Sequence, residues 1–410
     1  MNNTLVLFPE PSYFSTTDST YAVPTLMARH REHAQKEYAR LCSSKQNGIA
    51  VGKNPGGAIQ VMWDMFTHSG LQAAEHAVLE RGAFISDFSY FATHYPAFAE
   101  QYLFNSSAVP AQKGVIGTLV DAYWQCARVL FVPEHTTLEL PIVLDTILAQ
   151  SGQLVIEKIV VILGSNSCAT IDDRLVTKES TYAHIRSIDC FVGAGAQLNL
   201  VQEQDCSSAG TEFSHIRLHC QQKSNVHVAL FSTGSAINKQ LIDMFLLGHN
   251  ATAKVTGATV LNENKQHNLT IRQEHYAPNT TSTVRIKNLV TDAACSVYNG
   301  TIFIAPGADG TKASQHTQAL VLSNKAHAWA QPELEVLTND VQCAHGSAVG
   351  QLDEMHLFYL QSRGLSRIQA QRLLIESFIA DTLDIQAYYA RKEYLIKKTL
   401  DAIFPGEVHV

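Results

Sequence analysis

From about Val129 to Val341 the chain is written in period two. His215-Ile-Arg-Leu-His-Cys220 alternates polar and apolar, and so do Asn225-Val-His-Val-Ala-Leu230, Ala253-Lys-Val-Thr256, Asn268-Leu-Thr-Ile-Arg272 and Thr283-Val-Arg-Ile-Lys287. Alternation at every second residue marks a strand with one buried face. Each run is short and bounded by Gly, Asn or Ser, and the next follows within roughly 10–15 residues. That spacing leaves no room for crossover helices, which excludes a doubly wound sheet. It is also too long a series of strands for one sandwich. The pattern predicts a mainly β solenoid, a parallel β-helix with two or so strands per coil, roughly 20–25 residues per coil and roughly nine or ten coils. Inward side chains fill the bore of such a stack, and outward Thr, Asn and His ladder along its faces. Neither the hexapeptide of left-handed β-helices nor the calcium-binding nonapeptide is present.

On either side the period becomes helical. Residues 1–128 read as a mostly helical domain, with helices expected over Pro24–Cys42, Leu71–Arg81 (Gly82 as the stop), Pro96–Phe104 and Gly114–Arg128, and a Gly- and Asn-rich loop over 43–58. The β-helix core is assigned 129–349. Residues 350–410 form a C-terminal helical domain, with helices over Asp353–Gln361, over Ser366–Ala380 behind a Ser N-cap, and a last one through Ile403 capped by Asp381 or Asp384. The second of these offers Leu373, Leu374, Ile375 and Phe378 as an apolar set. Part of it is expected to pack on the end of the stack and part to bind a partner.

Charge and targeting narrow the function. Only 16% of residues are charged and the net charge is -7. Nucleic acid and anionic membranes both need a basic face, so neither is the expected partner. The first ten residues lack the basic start of a signal peptide, and no apolar run approaches the ~18 residues of a membrane helix. The eight cysteines are scattered and contain no CxxC, which fits reduced thiols and a cytoplasmic protein.

Enzyme signatures fail. There is no GxxxxGK[ST], GxSxG, HExxH or dinucleotide GxGxxG. A carbohydrate-active β-helix would need carboxylates clustered on one face. Asp172-Asp173 is the one tight pair, and it reads as a solvated turn. His215, His219 and His227 read as a polar ladder on a solvated face, since i and i+4 on a strand lie ~13 Å apart. Cys343-Ala-His345-Gly differs. It is expected after the last strand, at the mouth of the stack. Residues i and i+2 of an extended segment project to one side ~6–7 Å apart. Thiolate and imidazole are ligands that iron and iron–sulfur species accept. Two ligands make half a site; a packed, structural pair is the alternative reading.

Five segments occur together in one order: His275-Tyr-Ala-Pro-Asn-Thr-Thr-Ser282, Tyr298-Asn-Gly-Thr-Ile302, Gln331-Pro-Glu-Leu-Glu335, Asp340-Val-Gln-Cys-Ala-His-Gly346 and Phe358-Tyr-Leu-Gln-Ser-Arg-Gly364. In these, and in Trp124-Gln125, Phe131-Val-Pro133 and Glu139-Leu-Pro-Ile142, the chain resembles the SufBD family of iron–sulfur cluster assembly scaffolds over about 120–380. The resemblance implies a right-handed parallel β-helix between helical domains and a non-enzymatic role. Within the family the chain is more similar to the SufD branch than to SufB, because His316-Thr-Gln318 lacks the cysteine that SufB carries there. It implies pairing with a SufB-like paralogue through the β-helix ends, or with itself in isolation, and docking of a SufC-like ATPase on the C-terminal helices. It also implies that His345, with Cys343 beside it, contributes to a transient iron or iron–sulfur site shared with that partner. A purely structural subunit of an ABC-type complex is the competing reading.

Overall fold

The computed structural model describes residues 31–39, 67–68, 76–104, 114–148, 152–177, 181–206, 209–380, 382 and 389–404. The chain is mainly β, and its body is a parallel β-solenoid of about seven turns. The first sheet stacks β4 (Cys126–Val132), β6 (Gln153–Leu163), β8 (Tyr182–Val192), β10 (Gly210–Cys220), β12 (Ile237–Leu246), β14 (Gln266–His275), β16 (Cys295–Ile304) and β18 (His327–Val336). The second stacks β5 (Ile142–Leu148), β7 (Cys168–Thr177), β9 (Gln197–Asp205), β11 (Asn225–Ser232), β13 (Thr252–Leu261), β15 (Thr281–Val290), β17 (Thr311–Val321) and β19 (Val341–Gly350).

The coils are longer and fewer than their spacing in the sequence suggested. Thr211 pairs with Ile237 and Cys295 with His327, so one coil takes 26 to 32 residues. The reason is strand length. Most of these strands run to ten or eleven residues, about twice the usual strand. The turns are as regular as the strands. His135, Asn166, Gly195, Lys223, Asn250, Asn279 and Gly310 form a column of left-handed residues, all with φ between 55° and 72°. Each donates its backbone N–H to a turn carbonyl of the next coil, in order Ser165, Ala194, Gln222, His249, Pro278, Asp309 and Asp340. Glycine is required at Gly195 and Gly310 for space as well as for φ, since a Cβ there would lie 2.4 and 2.2 Å from the side-chain oxygens of Asn166 and Asn279.

The bore is apolar along one side, where Ile159, Ile188, Ile216 and Ile242 stack against Ile171, Leu200, Val228 and Val255. Its other side holds a buried ionic cluster. Arg186 makes two bonds to Asp173, at 3.0 and 2.6 Å, and Gln202 donates to the same carboxylate at 3.0 Å. His184 stands between Glu212 (3.1 Å) and Glu157 (3.4 Å), and Arg128 closes the group on Glu157. Burial alone would lower the His184 pKa, but the two glutamates raise it to about 9, so the ring is an imidazolium at neutral pH. Burial opposes the charge on Glu157 too, yet His184 and Arg128 hold its carboxyl well below the usual range. The Asp172-Asp173 pair is therefore no solvated turn. It sits inside β7, with Asp173 turned into the bore and Asp172 under the C-terminal helices.

Helices cover both outer faces. Residues 31–39 (α1) and α4 (Gly114–Tyr123) place Tyr38, Ile116 and Leu119 on Leu154, Ile156, Ile185 and Phe213 of the first sheet. β3 (Phe84–Asp87) adds antiparallel to β4, and β2 (His76–Val78) antiparallel to β3, at the sheet's far edge. An aromatic cluster follows on α2 (Phe88–His94), α3 (Pro96–Phe98) and a π-turn at Ala99–Phe104. The helix expected over Leu71–Arg81 is instead β2 and a 3₁₀ turn at Glu80–Gly82, because edge pairing with β3 overrides a local helical spacing; residues 71–75 lie outside the described residues. The Gly114–Arg128 helix stops at Tyr123, where Cys126–Val132 is claimed by pairing with β6. The predicted loop 43–58, the ends of the Pro24–Cys42 helix, and Asp381 and Asp384 also lie outside the described residues.

Of the histidines expected on a solvated face, His215 and His219 are buried and His227 is half-buried. His215 bonds Asp243 at 2.8 Å, and His219 stacks between Phe191 and Phe245. His227 bonds Thr256 at 3.0 Å. Burial lowers His219 and His227 to about 4. Their outward direction was right. What a period-two pattern does not reveal is what lies over a face.

Candidate functional site

The C-terminal helices do not cap the stack. α5 (Glu354–Ser362) begins at Asp353, which accepts the Met355 N–H; α6 (Arg367–Ala380) begins at Ser366, whose hydroxyl accepts the Gln369 N–H while Gln369 accepts the Ser366 N–H. α6 and α7 (Tyr389–Ile403) pack on the flank of the second sheet, where Ile375, Ile379, Leu395 and Leu400 meet Phe231, Ala258, Val260 and Leu289. Arg391 and Lys398 of α7 pair with Asp172, Glu203 and Asp205 on that flank. The outer carboxylates that a carbohydrate-active groove would use are thus neutralised beneath a helix.

Docking on the flank leaves the end of the solenoid uncovered among the described residues. β18 and β19 are the terminal strands of the two sheets, and most of their residues are exposed. Register separates inside from outside. Ala328, Ala330, Pro332, Leu334 and Val336 continue the inward rows of β16, and Cys343, His345, Ser347 and Val349 continue those of β17. These inward residues meet solvent because no further coil lies on them. Leu334 is 42% and Val349 49% exposed. The end thus presents an apolar ring and two open backbone edges, a surface suited to another chain.

Cys343 and His345 lie within the last strand rather than after it, and both face inward at this open end. Cys343 stacks on Ala313 and is half-buried against the cluster of Ile302, Ile304 and Ala308. Burial raises its thiol pKa, partly offset by a backbone hydrogen bond from Ala313, so metal binding there must displace a proton. His345 is exposed and follows Gln315 in the ladder. Among the described residues no three His, Cys, Asp or Glu gather closely enough to hold a metal ion. A cysteine and a histidine are two of the four ligands that an iron–sulfur site takes.

Two further motifs serve this end. His275 points into the bore and bridges Thr280 and Ser282 at 2.7 and 2.8 Å, locking the turn into β15; burial holds its pKa near 4 and the ring neutral. Pro332 removes one N–H from β18, which suits a terminal strand.

The comparisons with known proteins agree with this architecture. The family model for the SufBD core domain of the SUF system of FeS cluster assembly matches residues 146–378. The chain belongs to the SufBD family. It is 24% identical over 283 residues to a SufBD family iron–sulfur cluster assembly protein of Synechocystis, covering 66% of this chain and 62% of that one. To the iron–sulfur cluster assembly protein SufD of Escherichia coli it is 27% identical over 190 residues, 46% of this chain and 45% of the relative. To SufD of Bacillus subtilis the figures are 23% over 313 residues, 74% and 70%. The matched part thus falls short of two thirds of the first two relatives. The seven cysteines among the described residues are free thiols. No helix there is long and apolar enough to cross a membrane.

The partner-binding set divides. Ile375 is 1% exposed and belongs to the flank contact; Phe378 is half-buried there, with the Lys287 ammonium 4.7 Å from its ring. Leu374 is half-buried, and Leu373 is exposed. Sequence reasoning missed the other exposed apolar side chains of these helices, Ile368 on α6 and Met355, Phe358 and Tyr359 on α5, the two helices tied by Arg367 and Glu354. Phe358, at 68% exposed, opens the Phe358–Gly364 motif quoted above. Phe358→Asp and Leu373→Asp are each expected to abolish co-purification of an ATPase partner while the thermal midpoint stays within about 2 °C of the parent, as for a surface change. Unchanged co-purification in both would place docking elsewhere.

Proposed function

We propose that this SufBD protein is a non-enzymatic scaffold subunit, of SufD type, in a cytoplasmic iron–sulfur cluster assembly complex. Its open solenoid end seals against a SufB-like solenoid. Its α5–α6 patch docks a SufC-like ATPase, which supplies the nucleotide chemistry that this chain's sequence does not encode. The observation that carries the reading is the uncovered last coil, with Cys343 and His345 facing inward at its rim. A second chain docked there would bury both donors and add the ligands they lack. Imidazole binds iron when neutral, and an exposed His345 is free to do so. Cys343 has the supporting role, because its thiol is partly packed.

The test is co-expression with the cognate partners and anaerobic quantification of iron and sulfide in the purified complex. His345→Ala is expected to lose most of the bound iron with assembly and thermal stability unchanged. Cys343→Ser is expected to give a weaker or additive loss. Normal iron in the His345 variant, or loss of assembly itself, would favour a structural subunit with both residues inert. If Cys343→Ser alone removes all iron, the two roles are reversed.

A further inference from the structure

One buried polar side chain beneath this end has no counterpart in the reading so far. Gln315 lies on β17, one coil below His345, and is fully buried. Neither its amide nitrogen nor its amide oxygen has a hydrogen-bond partner. The side chain reaches the opposite sheet, where a Cβ at Gly300 would fall 2.2 Å from its amide nitrogen. Gly300, the glycine of the Tyr298–Ile302 motif, thus owes its identity to the space this amide occupies. The two residues directly below are apolar, Val284 under Gln315 and Ile271 under Gly300. The layer above is the last coil, with His345 over Gln315 and Pro332 over Gly300. The amide therefore forms the floor of the open end. Neither of the two residues under it can bond it, and burying a primary amide without partners is unfavourable.

We propose that the Gln315 side chain is a positioning residue of the metal site at the open end. Its amide N–H donates a hydrogen bond to an anionic sulfur on the metal held by His345 and Cys343. This rests on the functional reading above. The sulfur is either the Cys343 thiolate or inorganic sulfide, and hydrogen bonds to such sulfurs tune and orient the species that bear them. A fully buried amide kept unpaired, with only apolar side chains directly beneath it, is a stability cost retained for function.

Gln315→Leu fills the same volume without the polar atoms, and Gly300→Ala displaces the amide without removing it. The co-expressed complex, stripped of iron under anaerobic conditions, is titrated with Co²⁺ alone and then with Co²⁺ plus sulfide, following the sulfur-to-metal charge-transfer bands. Both variants are expected to assemble, Gln315→Leu with an equal or higher thermal midpoint, and to bind the metal ~10–100-fold more weakly with shifted bands. A loss already present with Co²⁺ alone assigns the bond to the Cys343 thiolate; a loss appearing only with sulfide assigns it to sulfide. Unchanged binding in Gln315→Leu overturns the inference, as does a large fall in its midpoint or failure to assemble, which would make the amide structural. The two readings fail separately. Normal binding in His345→Ala with weakened binding in Gln315→Leu removes His345 from the site and leaves the amide in it.

Discussion

Leu334→Asp is expected to leave the chain folded and to break its pairing with a second solenoid. Leu334 faces inward on β18, yet no coil covers it. In the isolated chain an aspartate there stays hydrated, so its thermal midpoint should move by no more than a surface substitution allows. In a sealed interface the same carboxylate is buried in an apolar ring without a partner. Central interface positions cost 2 kcal/mol or more when disrupted, about 30-fold in affinity. Sedimentation of the co-expressed complex reads the outcome, and Val349→Asp, on the opposite sheet at the same rim, should behave alike. If both variants still form the complex with parent affinity, the solenoid end is not the interface. An outward substitution on the same strand, Glu333→Gln, serves as the control, because that side chain points away from the ring.

The largest stability loss belongs to Arg186→Ala. Arg186 is fully buried and holds Asp173 in a two-point bond, with Glu212 nearby at 4.0 Å. Removing it leaves Asp173 in the bore without its cation and Glu212 with His184 alone, and breaking one partner out of a buried ion pair typically costs about 3–5 kcal/mol. Denaturant unfolding should show that loss as a lower midpoint. The double variant Arg186→Met with Asp173→Leu should recover much of it, because an apolar replacement removes the desolvation cost of both charges. A single-variant loss below about 1 kcal/mol would mean that water reaches the cluster and screens it.

Much of the fold was legible because alternation is a local property. Asn225–Leu230 and Thr283–Lys287 state which residues share a face without reference to anything distant, and Pro332 hints that its strand is terminal. Coil length was legible in principle: Asn166, Gly195, Lys223, Asn250 and Asn279 recur at intervals of 27 to 29 residues, but two of the turn types are ambiguous in isolation, and Lys223 carries no turn signal at all. The depth of a residue was not legible. Asp173, His215 and His219 look like surface residues because their partners, Arg186, Asp243 and the Phe191–Phe245 pair, are 13 to 28 positions away. Ile375 and Leu373 were equivalent as letters on one helix, and only the flank of the second sheet distinguishes them. Cys343 and His345 were singled out as candidate donors by residue type and spacing. Gln315 and Gly300 were not, since a glutamine among strand residues is ordinary until the apolar residues beneath it are seen.

The last coil has a neighbour on one side only. In a stack of repeats each layer is stabilised by the layers above and below it, so stability is distributed along the axis rather than shared equally. β18 and β19 therefore occupy the lowest rung of that gradient, and they are the strands that carry the rim residues. Any chain that seals the end binds the ordered rim better than a frayed one, and so shifts the rim toward its ordered form by mass action. Closure and ordering are then one equilibrium: alone, the chain keeps Cys343 and His345 on an end layer, and a chain sealing that end would fix the pair as it docks.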